Sequence, residues 1–170
     1  YARQRGIETV PEIDFPGHAT AVLVAYPQFA TDPSGLDGVA HYPTIFDNVL
    51  NFSPESLEFV HEIWSEVIEA TGARYVHIGG DEVPTVHWEA SEEVAQRARE
   101  FGVDDPGSIQ RWFTLHMRDW LNERGVTPIG WDEVVDPGPV AGMVCQSWRG
   151  AEQGVKAATQ GMDVIMSPCS

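Results

Sequence analysis

Residues Tyr75-Val76-His77-Ile78-Gly79-Gly80-Asp81-Glu82-Val83 form a short apolar run that ends in two glycines and two adjacent carboxylates. Carboxylates pass protons and hold developing positive charge, so Asp81-Glu82 is a candidate for acid–base work. In an extended strand side chains alternate, which puts His77, Gly79 and Asp81 on one face and Ile78, Gly80 and Glu82 on the other. Both acids can serve one pocket only if the chain bends as it leaves the strand. Gly79-Gly80 makes such a bend cheap, because neither residue carries a Cβ. Taken alone, an Asp-Glu pair at a strand end more often points into water. The rest of the chain has to decide.

Helix and strand signals alternate around that stretch. Ile7 to Asp14 reads as a strand with Glu12 and Asp14 on one face, although Pro11 cannot donate to a ladder. Phe15-Pro16-Gly17-His18 turns the chain, Ala19 to Tyr26 reads as a short helix, and residues 27–52, with Pro33, Gly35, Gly38 and Pro43, as a long loop. Ser53-Pro54-Glu55 starts a helix with a capping hydroxyl, a first-turn proline and an early acid. Its apolar face is Leu57, Val60, Ile63, Trp64, Val67 and Ile68, and Gly72 stops it. Further helices are expected from Ser91 to near Gly102, from about Ser108 to Gly125, and from Ala151 to Gln160 before Gly161. Strands are expected at 126–133, 143–148 and 164–167, and Pro137-Gly138-Pro139 leaves no room for a proper helix between the first two.

This alternation predicts a parallel α/β sheet of five strands. Polar residues collect where the strands end: Asp14, Asp81-Glu82, Asp132-Glu133 and Trp148-Arg149. An α/β barrel builds its sites on that face, and an open doubly wound sheet also places ligands there. Five strands cannot close an eight-stranded barrel, so a barrel requires further sequence. The opening Tyr1 to Gly6 reads as the last turn of a helix, as expected of a segment of a longer chain.

Ten Lys and Arg against 26 Asp and Glu give a formal charge of −16, which disfavours nucleic acid, anionic lipid and acidic polysaccharide but not a neutral ligand. No run of about 18 apolar residues exists to span a membrane. The two cysteines, Cys145 and Cys169, are too few for a disulfide framework and read as buried thiols. No Gly-x-Gly-x-x-Gly or phosphate loop is present, which disfavours nucleotides. His77, Asp81 and His87 match no metal signature at their spacing, so no metal or cofactor is expected. Asn51-Phe52-Ser53 is a glycosylation triplet, but Pro54 follows it and disfavours its use.

Tryptophan faces stack on sugar rings, and carboxylates bond hydroxyls or shuttle protons. Trp131 and Trp148, at or next to strand ends, together with His18 and the strand-end acids, therefore make a carbohydrate site plausible. A core position is an equal alternative for either tryptophan, whereas Trp64, Trp112 and Trp120 lie on apolar helix faces and read as core.

Pro-Glu-Ile-Asp-Phe-Pro-Gly-His (11–18), His-Ile-Gly-Gly-Asp-Glu-Val (77–83), Gly-Trp-Asp-Glu (130–133) and Ser-Trp-Arg-Gly (147–150) occur in this order. Together they resemble the catalytic domain of glycoside hydrolase family 20, the β-N-acetylhexosaminidases. The resemblance implies a (β/α)8 barrel of which residues 1–170 are an incomplete segment, roughly its third to seventh strands, with no second domain. It implies hydrolysis of terminal N-acetylglucosamine or N-acetylgalactosamine from glycans or chito-oligosaccharides by a retaining, substrate-assisted mechanism. Glu82 would then be the general acid and base, and Asp81 would orient the 2-acetamido group and stabilise its positive charge. His18 would support the general acid, Trp131 and Trp148 would wall the acetamido pocket, and Asp14 and His77 would be structural supports. The family's arginine after the first strand, the aspartate of the second, the tyrosine beyond the seventh, and the tryptophan and acid of the eighth have no counterpart here. The segment by itself is accordingly expected to be inactive. A non-catalytic N-acetylhexosamine-binding relative of the same fold is the alternative.

Overall fold

A computed structural model describes residues 1–39, 41, 44–136 and 138–169, so Pro43 and Pro137 lie outside the described residues. The chain divides into two compact units. A sheet unit comprises Tyr1–Ile13, Trp64–Asp81 and Thr114–Ser170, and a second unit comprises Asp14–Ile63 and Glu82–Phe113.

The sheet unit is built on four parallel strands in sequential order, β1 (Tyr75–His77), β2 (Thr127–Trp131), β3 (Val144–Ser147) and β4 (Asp163–Met166). Parallel strands need crossovers. The chain between β1 and β2 includes α3 (Val86–Ala90), α4 (Glu92–Glu100) and α5 (Ile109–Asn122), and α6 (Ala151–Thr159) joins β3 to β4. Among the described residues between β2 and β3, a short 3₁₀ turn over Asp132–Val135 is the only helical element, in keeping with the absence of room for a proper helix. The sheet core holds Val76, Ile129, Cys145 and Met117, all nearly inaccessible. Gly154 brings α6 against β4, because a Cβ there would collide with the Met166 thioether.

The strand expected over Ile7 to Asp14 does not form as a continuous element. It is reduced to one parallel bridge between Glu12 and His77, with His77 N–H donating to Pro11 O at 2.8 Å and Ile13 N–H to His77 O at 3.1 Å. Proline's missing donor and the exposure of residues 7–10 account for the shortening. The sheet therefore has four strands and a bridge rather than five strands.

In the second unit, α1 (Thr20–Ala25) follows the 15–18 turn, and the long loop is pinned by an antiparallel bridge between Ala30 and Leu50. Phe52 anchors an aromatic core, with ring centroids 5.1 Å from Trp88 and 5.6 Å from Phe113. The Trp88 indole donates to Leu50 O at 2.8 Å. Asn51 is buried and donates to Gln28 O at 2.8 Å, which removes its amide from the surface a glycan would require.

Helix α2 (Pro54–Thr71) starts as expected: Ser53 Oγ accepts from Ser56 N–H at 3.1 Å. Trp64 is buried as expected, but Trp112 and Trp120 are only half-buried. Trp112 stacks on Phe101 at 3.6 Å, and Trp120 lies under the Arg124 guanidinium at 3.7 Å. Cys145 is buried, but Cys169, beyond the last strand, is exposed. No described helix is long and apolar enough to cross a membrane.

Candidate active site

Because the strands are parallel, the residues that follow β1, β2 and β3 share one edge of the sheet, and Asp81, Trp131 and Trp148 lie at that edge. The bend expected after β1 is present: Gly79 has φ 71° and Gly80 φ 96°, values that glycine adopts without steric cost. Gly79 O accepts from Trp131 N–H at 3.1 Å, so the bend is tied to the end of β2. Asp81 leaves it half-buried.

Beneath Trp131 sits His77, only 3% exposed, with the two rings 4.6 Å apart. His77 Nδ1 accepts from Gly79 N–H at 3.1 Å and lies 3.4 Å from Glu12 Oε1. Burial lowers the His77 pKa to about 4, against the opposing charge of Asp81. The imidazole is therefore neutral near pH 7, its proton is on Nε2, and the approach to Glu12 is not an ion pair. Glu12 in turn has its pKa raised, first by burial, with a hydrogen bond from Trp131 opposing and the charge of Asp81 adding. Trp131 is thus held between a neutral histidine and a carboxylate.

Trp148 is held by its neighbours across β2 and β3. Asp132 is fully buried, and its Oδ2 accepts from the backbone N–H of both Trp148, at 2.8 Å, and Arg149, at 3.0 Å. Its Oδ1 meets Arg149 Nε in an ion pair. Glu133 Oε2 accepts the Trp148 indole N–H at 3.1 Å. Burial raises the Glu133 pKa, with the Trp148 bond and the Arg149 charge among the opposing influences. Arg149 continues to Asp136 at 2.9 Å, and Lys156 reaches the same carboxylate at 3.3 Å.

In the second unit His18 and Glu82 come together, with His18 Nε2 3.5 Å from Glu82 Oε2. Gly17 permits this, since a Cβ there would stand 3.2 Å from Val83 Cγ2, immediately after Glu82. His18 has φ 47° and Glu82 φ 50°, a left-handed backbone that is uncommon for any residue but glycine and that histidine tolerates better than glutamate. Asp14 is half-buried beside the Phe15-Pro16 turn, whose peptide bond is cis. His87 belongs to α3 in this same unit, whereas His77 and Asp81 belong to the sheet unit.

In the sequence Glu12 shares a strand face with Asp14, and Asp132-Glu133 stand at a strand end, but neither placement implies a task for these acids. The signal available was that a buried or half-buried indole N–H needs an acceptor, and acids sit close in space to both strand-end tryptophans.

A parallel α/β sheet with acids and tryptophans past the carboxyl ends of its strands defines the class as an α/β protein with its site at that edge. The profile of the glycosyl hydrolase family 20 catalytic domain matches residues 1–170, and the chain belongs to that family. The β-hexosaminidase of Porphyromonas gingivalis is 35% identical over 170 residues, covering 100% of this chain and 22% of that protein. The structure of a Flavobacterium johnsoniae chitobiase superposes with a TM-score of 0.86 at 29% identity, covering 99% of this chain and 27% of that one. An exo-β-N-acetylglucosaminidase from Vibrio harveyi, solved with N-acetylglucosamine, gives a TM-score of 0.82 at 33% identity, covering 99% and 27%. The chain thus spans about a quarter of the length of these relatives. Its four strands are part of the (β/α)8 barrel of the family.

Proposed function

We propose that this catalytic segment serves the hydrolysis of terminal, non-reducing N-acetylhexosamine from β-N-acetylhexosaminides, with retention of configuration and with the substrate's own acetamido group as nucleophile. The observation that carries the reading is the end of β1. Two glycines at positive φ turn the chain into consecutive carboxylates, and the second lies 3.5 Å from an imidazole nitrogen. The names of the relatives supply the reaction class.

In the first step the acetamido oxygen attacks the anomeric carbon as the glycosidic C–O bond breaks. Glu82 gives its proton to the departing oxygen. The positive charge of the resulting oxazolinium ring rests largely on its N–H, which Asp81 accepts; a pre-placed charge partner of this kind is worth about 3 kcal/mol. Glu82 then takes a proton from water, which attacks the same carbon, reopens the ring and releases the sugar with its configuration retained. His18 holds the Glu82 carboxylate in orientation, and Trp131 and Trp148 wall the acetamido pocket. Asp14 and His77 act as structural supports. The substrate is a neutral glycan end, which a chain of charge −16 does not repel.

In the full-length protein, Glu82→Gln should abolish release of the phenol from an aryl N-acetyl-β-glucosaminide, and Asp81→Asn should lower kcat by about 100-fold or more. Retained activity in Glu82→Gln refutes the assignment. Tight binding of a thiazoline analogue with no turnover of any aryl glycoside would favour a non-catalytic sugar-binding relative instead.

A further inference from the structure

Trp148 stands one residue beyond β3, past the ladder that would fix its backbone. Its N–H and that of Arg149 both donate to one oxygen of Asp132, while its carbonyl accepts from Cys169 N–H at 2.9 Å. The other Asp132 oxygen meets the Arg149 guanidinium, so a fully buried carboxylate has donors on both sides. The next residue in the chain, Glu133, accepts the indole N–H at 3.1 Å. Consecutive side chains at the end of β2 thus grip one tryptophan at two points, its main chain and the far edge of its ring. A half-buried indole held only by packing could turn about its side-chain torsions. One held at both ends keeps a single orientation.

We propose that Asp132 and Glu133 are positioning residues for Trp148, and that Glu133, through the indole N–H, sets how closely the pocket fits the N-acyl group. The proposal rests on the reading of Trp148 as a wall of the acetamido pocket. When the nucleophile is the substrate's own acyl oxygen, a wall that turns allows the acyl group to turn as well. The loss then falls on kcat for the acetamido substrate and relaxes the exclusion of a longer acyl chain.

The test uses the full-length protein with aryl 2-acetamido and 2-propionamido β-glucosides, and reads the ratio of their kcat/KM values. Glu133→Leu should lower the acetamido preference about tenfold, the size of one hydrogen bond to a charged group, mainly through kcat for the acetamido substrate. Glu133→Gln, which keeps an acceptor for the indole, should restore most of it. Trp148→Phe, which keeps a ring but lacks the N–H, should reproduce the Leu variant's ratio. A merely structural defect lowers the active fraction for both substrates equally and leaves the ratio alone. An unchanged ratio in Glu133→Leu, or in Trp148→Phe where the Leu variant does not fold, overturns the proposal. If the wild-type protein cleaves an aryl glucoside as readily as the 2-acetamido substrate, the functional reading itself fails, and that outcome is separate from either variant's.

Discussion

His77 makes folding stability depend on pH over a defined window. In the unfolded chain its imidazole titrates near 6.5, whereas in the folded protein burial delays protonation to about pH 4. Between these values the unfolded state carries a proton that the folded state lacks, so stability falls as pH drops through the window and is level beyond either end. A difference of about 2.5 units corresponds to roughly 3 kcal/mol across the window, of which about 2 kcal/mol is lost by pH 5. Two features of the site oppose a charged ring. Nδ1 already accepts from Gly79 N–H, so a proton there breaks that bond, and the ring is sealed under Trp131. The charge of Asp81 pulls the other way, but burial prevails. Glu12 and Glu133, with raised pKa values, favour the folded state as pH falls, so the wild-type curve alone mixes signs. The clean measurement is the difference between the wild type and His77→Asn, whose amide oxygen can take the place of Nδ1. Urea unfolding of both, followed from about pH 8 down to pH 4, should show a steeper decline for the wild type. Parallel curves, whatever their vertical offset, would refute a buried neutral His77.

Glu82→Asn and Glu82→Gln should both be inactive, but the Asn variant should unfold at higher denaturant, by about 0.5–1 kcal/mol, because Asn tolerates the left-handed backbone at φ 50° better than Gln does. Equal midpoints would mean that Glu82 carries no strain. Gly130→Ala should destabilise the protein by roughly 1–3 kcal/mol, since its Cβ would come within 2.6 Å of Met143 Cε and 2.7 Å of Val134 Cγ1. A thermal midpoint equal to that of the wild type would show that both side chains can move aside.

Where one residue's local chemistry decides the structure, the sequence is readable. Ser53 and Ser91 each cap the helix they precede, with Ser91 Oγ accepting from Val94 N–H at 3.2 Å. The Gly79-Gly80 bend follows from the same kind of reasoning, since only backbone sterics are involved. Helix α3 is invisible for the converse reason. It has five residues and no side-chain cap, and Trp88 is drawn inward by Phe52 and Leu50, 36 and 38 positions away. The Ile7–Asp14 segment falls between these cases: its pattern is that of a strand, but whether a ladder forms depends on donors at a proline. Strand-end motifs were equally legible as a set, yet their internal wiring was not. Nothing local in Gly-Trp-Asp-Glu says that its last two residues hold a tryptophan 15 and 16 positions further on.

That wiring bears on why the acids outnumber the groups that chemistry alone requires. Substrate-assisted hydrolysis needs one proton carrier and one charge partner, here assigned to Glu82 and Asp81. Glu12, Asp132 and Glu133 are accounted for by indole and backbone donors at the end of the sheet. Anchoring an indole N–H needs an acceptor, and a neutral amide would supply one with less desolvation cost than a carboxylate. A carboxylate gains something further only where its charge is itself compensated. Asp132 meets that condition through Arg149 and two backbone N–H groups, and the weaker contact of Arg149 to Glu133, 3.6 Å, extends it. Burial raises the pKa of Glu12 as it does that of Glu133, but at Glu12 the nearby charge is the carboxylate of Asp81, which adds to the rise. The acids that hold the two tryptophans thus have different neighbours: Asp132 and Glu133 at Trp148 face the Arg149 guanidinium, and Glu12 at Trp131 faces the carboxylate of Asp81.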